Sequence, residues 1–182
     1  MIIRTLQAGD APALLAFELA NRRWFEQHVA ARAPAFYSPA GVIAHITGYL
    51  DLHDQGTMLP CVLLDDAQTI TGRANLRHID RAAGTGEVGY RIAHDAGGRG
   101  LGSLALRHLL DAARSRYQLR AIDVWITDEN PGSQRLAEKH GFVRLDLAPL
   151  PELCGGEQRW AHAWRCALAP ANDAPYSRHV VP

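Results

Sequence analysis

The order of apolar patterns along the chain predicts an α/β (α+β) domain on a mixed sheet, and three observations carry that reading. Strand-like and helix-like runs follow one another as β-α-α-β-β-β-α-β-α-β-β. A glycine-rich turn, Ala96-Gly97-Gly98-Arg99-Gly100-Leu101-Gly102-Ser103, joins one strand directly to a helix. The length of 182 residues and the 47% hydrophobic content suffice for one substantial core, so a single domain is expected over residues 1–168. The strands before the glycine turn should pair antiparallel. The strand–turn–helix–strand unit should pair parallel, with a right-handed crossover.

Ile2 to Leu6 reads as a short first strand, and Asp10 is placed to cap a helix over Ala11 to His28 with Leu14, Leu15, Phe17 and Leu19 inward. Pro34 and Pro39 break that helix. Ser38-Pro39 opens a second one, carrying Val42, Ile43, Ile46, Tyr49 and Leu50 at helical spacing until Asp54-Gln55-Gly56. Strands are expected at Cys61–Leu64, Ile70–Ile79 and Glu87–Ala93. Past the glycine turn, Leu104, Leu106, Leu109, Leu110 and Ala113 mark an amphipathic helix running to Tyr117. Ala121–Ile126 is the next strand, Asn130-Pro131 opens a helix that ends at Gly141, and Phe142–Leu147 and Arg159–Leu168 are strands again. Leu153-Cys154-Gly155-Gly156 reads as an exposed loop. Ala169 to Pro182 holds three prolines and no periodicity, so a loose tail is expected there.

Composition excludes several classes. Nineteen Lys and Arg balance nineteen Asp and Glu, which argues against broad binding to nucleic acid or an anionic membrane. No apolar run reaches the length of a membrane span, and Met1-Ile2-Ile3-Arg4 has no signal-peptide pattern. Cys61, Cys154 and Cys166 are odd in number and lack metal-ligand spacing, so reduced, buried thiols in a cytoplasmic protein are expected. The histidines are scattered without His-x-x-x-His spacing, and no metal site is expected.

A glycine turn that feeds a helix start offers free backbone N–H groups and the positive end of a helix dipole, a cradle for phosphate or pyrophosphate. The turn is not a Walker loop, because no lysine stands in it. It is not the dinucleotide fingerprint either, because Ser103 stands where the last glycine belongs.

From Glu87 to Phe142 the sequence resembles the GNAT superfamily of acetyltransferases, and within it the RimJ/RimL-type branch. The residues that carry the likeness are Gly89-Tyr90-Arg91-Ile92, then Gly97-Gly98-Arg99-Gly100-Leu101-Gly102, which matches the family's acyl-CoA loop (Arg/Gln-x-x-Gly-x-Gly/Ala) except at its first position. Asn130-Pro131-Gly132-Ser133-Gln134-Arg135 and Glu138-Lys139-His140-Gly141-Phe142 complete it, with a weaker likeness at Asn21-Arg22-Arg23-Trp24-Phe25-Glu26 and Pro34.

The resemblance implies a GNAT-like mixed, mostly antiparallel sheet flanked by helices, and acetyl-CoA as acyl-donor cosubstrate. Backbone groups near Ile92 and Ala93 would meet the pantetheine arm, and the N–H groups from Gly98 to Ser103 the pyrophosphate, with Arg99 adding charge. Glycine at position 97, in place of Arg or Gln, is expected to cost affinity and not the fold. Glu87 is the candidate proton acceptor through water, set against a plain solvent-facing strand residue. The family's frequent thiolate-facing tyrosine is replaced by Ala137, which leaves Ser133 as the candidate hydroxyl at the sulfur. Asn130 is a candidate ligand contact, and helix capping is the alternative for both it and Ser133. Trp24, Phe25 and Tyr37, with Phe36, Tyr49, Trp160 and Trp164, are candidates to line the acceptor cleft, packing in the core being the alternative for each, and Glu26, Asp51 or Asp54 to draw in a cationic amine.

The reaction implied is direct transfer of acetyl to a primary amine, a protein N-terminus or a small molecule, in a ternary complex. The alternative is a non-catalytic acyl-CoA sensor or assembly module. A homodimer is left open by the resemblance, and no segment declares an interface.

Overall fold

The sheet forms because β-rich runs of low charge are covered on both faces. In the computed structural model, which describes residues 1–169, β1 (Ile2–Thr5), β2 (Leu59–Leu64), β3 (Ile70–Asp80) and β4 (Thr85–Ile92) pair antiparallel in that order. Next to β4 stands β5 (Ala121–Thr127), the one parallel neighbour, followed by β8 (Glu157–Ala167). Two short strands, β6 (Val143–Arg144) and β7 (Leu150–Cys154), both pair with β8. The expected tail lies, Ala169 apart, outside the described residues.

One face of the sheet carries α1 (Ala11–Ala20) and α3 (Pro39–Asp54), which insert Leu14, Phe17, Val42 and Ile46 into the core. Short α2 (Arg22–Glu26) lies between them in the chain. The other face carries α4 (Leu101–Ser115), whose Ala105, Leu106, Leu109 and Ala113 are buried, and α5 (Pro131–Lys139). All six residues of β2 are buried, as a strand covered on both sides requires. No helix among the described residues is long and apolar enough to cross a membrane.

Four expectations need correction. The helix expected to run unbroken to His28 stops at Asn21, whose Nδ2 donates to the Phe17 carbonyl at 2.9 Å while its Oδ1 accepts from the His94 N–H. A side chain that takes over backbone groups in this way ends a helix without glycine or proline. Asp10 does not cap α1. Its carboxylate accepts from the Gln7 N–H at 2.8 Å and from both terminal nitrogens of Arg4.

The strand expected over Phe142–Leu147 is only two residues long, and β7 was not expected at all. Pro151 and the glycine pair disguised it. Gly155 and Gly156, both at positive φ, turn β7 into β8, and Cys154 is consequently buried and not in an exposed loop. All three cysteines are buried and free, and burial pushes the Cys61 thiol up to about 12.

Candidate active site

β4 and β5 are paired only over Thr85–Glu87 and Ala121–Asp123. Beyond those residues each strand continues without the other, and a V-shaped gap opens. A cavity of about 360 Å³ fills it, lined by Val88 to Arg91 on one strand and Val124 to Thr127 on the other. The Ala93 N–H donates to the Thr71 carbonyl at 2.9 Å, on the β3 side. Backbone groups alternate between the two neighbours of a strand, so those of Tyr90 and Ile92 face the gap while those of Ala93 do not. Of the two residues expected to offer amides there, only Ile92 is free to do so.

The gap leads toward the glycine turn at the start of α4. Gly98 (φ 73°) and Gly100 (φ 77°) occupy the left-handed region, where residues with a side chain are strained. Gly100 is the N-cap, and the N–H groups of Leu101, Gly102 and Ser103 in the first helical turn have no intrahelical acceptor. Arg99 is exposed beside them. Gly97 is extended, and a Cβ there would meet the His94 carbonyl oxygen at 3.1 Å. The Ser103 hydroxyl is already engaged, 2.7 Å from His140 Nε2.

At the edge of the cavity the Ser133 Oγ lies 2.7 Å from the Tyr90 hydroxyl. Asn130 caps α5, accepting the Ser133 N–H at 3.0 Å through Oδ1, and it also lines the cavity. Burial raises the Tyr90 phenol above its ordinary value, against the opposing effect of the Ser133 hydrogen bond. A phenol that stays protonated can donate to Ser133, and the serine proton is then free to point at a third atom. In the sequence Tyr90 stands only as one residue of Gly89-Tyr90-Arg91-Ile92. Nothing in one sequence brings it to a serine 43 residues later.

The cavity's other wall is a charge cluster. Glu18, from α1, is fully buried between Arg73 (2.9 Å), Arg91 (3.1 Å) and Arg32 (3.5 Å). Burial opposes its charged form, yet the three guanidinium groups override it and hold the carboxyl below the usual range. His45 accepts from Arg73 at 3.0 Å, and burial together with those arginines pushes it down to about 3, so it is neutral.

The candidates are dispersed. Glu87 is bound by Arg77 through Nε at 3.0 Å and Nη2, and it does not line the cavity. Phe25 is core, 4% exposed and packed under Arg91, so it cannot touch an acceptor. Trp24 stacks edge-on against His28 and His94, and Tyr37 lies beneath Arg22 with its hydroxyl near Glu26. None of these three lines the cavity, whose aromatic residues are Tyr49, Tyr90 and Trp125. Glu26, Asp51 and Asp54 are also absent from its walls. Among the described residues no group of His, Cys, Asp or Glu is arranged to hold a metal.

A mixed sheet splayed at its single parallel pair, with a glycine turn and helix start following the strand that lines the gap, defines an acyltransferase fold. The chain matches the family model for an acetyltransferase (GNAT) domain over residues 1–143 and belongs to that family. It is 30% identical over 149 residues to the probable N-acetyltransferase YjcK of Bacillus subtilis (strain 168), covering 80% of this chain and 82% of that protein. Its fold matches the ribosomal-protein-S5-alanine acetyltransferase of Vibrio fischeri with a TM-score of 0.84 at 20% identity, over 91% and 92% of the two chains. Mycobacterium smegmatis RimJ, solved with a CoA-disulfide, gives 0.82 at 21% identity over 95% and 83%. A mutant of Vibrio cholerae spermidine N-acetyltransferase SpeG gives 0.71 at 20% identity over 92% and 95%.

Proposed function

We propose that this protein is an acetyl-CoA-dependent N-acetyltransferase that moves acetyl directly onto a primary amine in a ternary complex. The observation that carries the reading is the gap between β4 and β5, with the Tyr90–Ser133 pair and the Tyr90 backbone groups on one cavity and the Ile92 backbone groups just beyond it along β4. The glycine turn and the first N–H groups of α4 suit the donor's pyrophosphate. Arg99 and Asn130 Nδ2 are left free to add contacts.

The ammonium of the acceptor must first lose a proton. Its lone pair then attacks the thioester carbonyl, the C–S bond breaks with its electron pair on sulfur, and the nitrogen gives up its second proton, which replaces the one Ser133 passes to the sulfur. Ser133, oriented by Tyr90, donates its hydroxyl proton toward the developing thiolate. For the amine's proton two groups are set against each other. Glu87 is the family-like choice, although Arg77 already occupies it. His28 lines the cavity, its Nε2 is buried without a partner, and burial holds its pKa below the usual histidine range, so the ring is neutral and able to accept. The geometry favours His28.

The test is a thermal scan with acetyl-CoA, CoA and NAD, followed by CoA release with a panel of amines. A ligand at 100 times its dissociation constant adds about 2.7 kcal/mol, a shift of several degrees. A shift with both CoA species and not with NAD, then turnover that falls in His28→Gln more than in Glu87→Gln, is expected. Loss of turnover in Glu87→Gln alone would return the base to Glu87. Binding without turnover on a broad panel would favour the sensor alternative.

A further inference from the structure

The wall that faces the acceptor is over-supplied with positive charge. Glu18 meets three guanidinium groups, and His45, being neutral, adds nothing to either side of the balance. Arg77 is matched by Glu87, and the carboxylate that lines the cavity, Glu152, accepts the Ala30 N–H at 3.1 Å. Among the described residues, counting Arg32, Arg73, Arg77 and Arg91 against Glu18, Glu87 and Glu152 leaves one uncompensated positive charge at the cavity, and two within the Glu18 cluster itself.

A second observation is independent of that count. Of the seven buried side-chain polar atoms without a partner among the described residues, four belong to lining residues of this cavity: His28 Nε2, Arg32 Nε, Arg73 Nε and Asn75 Oδ1. Among the described residues Arg91 uses one of its five N–H groups in a hydrogen bond, to Glu18, and Arg32 makes only the long one to Glu18. Of the four atoms, Arg32 Nε and Arg73 Nε are donors, whereas Asn75 Oδ1 and neutral His28 Nε2 accept; the unmade guanidinium donors match an anion, and their charge repels a polyamine.

We propose that the acceptor amine carries a carboxylate, seated on Arg32 and Arg91, with Arg73 and Glu18 fixed behind them. This rests on the acetyltransferase reading and narrows its acceptor. The chemistry is the same whether the carboxylate belongs to a free amino acid or to an acidic side chain near a peptide's N-terminus. Glu18 acts here as a clamp, holding three arginines in place without cancelling them.

The experiment measures CoA release from acetyl-CoA with matched acceptors. Glycine is paired with glycinamide and alanine with alaninamide; Ala-Asp-Ala-amide is paired with Ala-Asn-Ala-amide, and spermidine stands alone. The expected result is a kcat/KM at least about tenfold higher for the acid of a pair. The free amino acids and the peptides separate the two sources. Arg32→Gln should erase that preference through KM, and Arg32→Glu should reverse it toward neutral or cationic amines, while both variants keep the acetyl-CoA shift in melting temperature. Equal rates within every pair, preference for spermidine, or no turnover of any carboxylate-bearing member would each overturn the proposal. Absence of the acetyl-CoA shift in the unaltered protein would instead overturn the acetyltransferase reading beneath it.

Discussion

The two faces of the sheet do their work by different physics. On the α4 side the glycine turn, the helix start and the Asn130 cap use backbone N–H groups and conformations that only glycine adopts without strain. On the α1–α3 side the wall is built from long charged side chains drawn from α1, the segment after α2, α3, β3 and β4. A backbone site tolerates side-chain change and fails on a change of conformation. A charge cluster tolerates backbone shifts poorly and fails when one partner is lost.

The largest break falls on the charged side. Glu18→Gln leaves three arginines facing one another in a dry site and should cost about 3–5 kcal/mol of folding stability, read as a lower urea midpoint with an unchanged slope. An acetyl-CoA shift that persists in this variant would show that the two faces act separately.

Ser133→Ala should lower kcat about 10–100-fold with little change in KM for acetyl-CoA, the signature of a group used as charge develops. Tyr90→Phe should follow it with a smaller loss, since it leaves the hydroxyl and removes only its orientation. An effect of Tyr90→Phe larger than that of Ser133→Ala would reverse their roles.

Gly100→Ala meets open space around its Cβ, so its cost is conformational alone, about 1–2 kcal/mol. Acetyl-CoA affinity should fall with it, whereas discrimination between acid and amide acceptors should not.

The smallest effect is a pH dependence. Folded His45 accepts a proton only near pH 3, while the ordinary value is 6.5, so unfolding takes up a proton between them. Stability therefore falls as the pH drops below about 6.5 and is untouched above it. His45→Asn should flatten the upper part of that decline, where carboxylates do not yet titrate. Urea midpoints at pH 7, 6 and 5 read the difference.

Much of the α4 side was legible because its determinants are contiguous. The turn at 96–103 and the cap at 130–133 announce their conformations through residue type, and the strand order placed them on one sheet. The charged side was not. Arg73, Asn75 and Arg77 alternate along β3 as a solvent-facing strand would, yet α1 and α3 cover that face and leave Arg73 at 1% exposure. Glu18 sits on an apolar helix, and its basic neighbours in sequence, Arg22 and Arg23, are not its partners; Arg32, Arg73 and Arg91 are. Phe25 and Trp24 fall instead on α2, which starts anew after α1 stops at Asn21, and there they pack against Phe17 and His94.

By itself, then, the sequence determined the element order, the phosphate-suited turn and the family, because periodicity, glycine and helix caps act within a few residues. Tertiary structure alone decided where β4 parts from β5, that Tyr90 meets Ser133, and that three arginines close on one carboxylate. Those are contacts between segments 14 to 73 residues apart, and no local rule sets such distances.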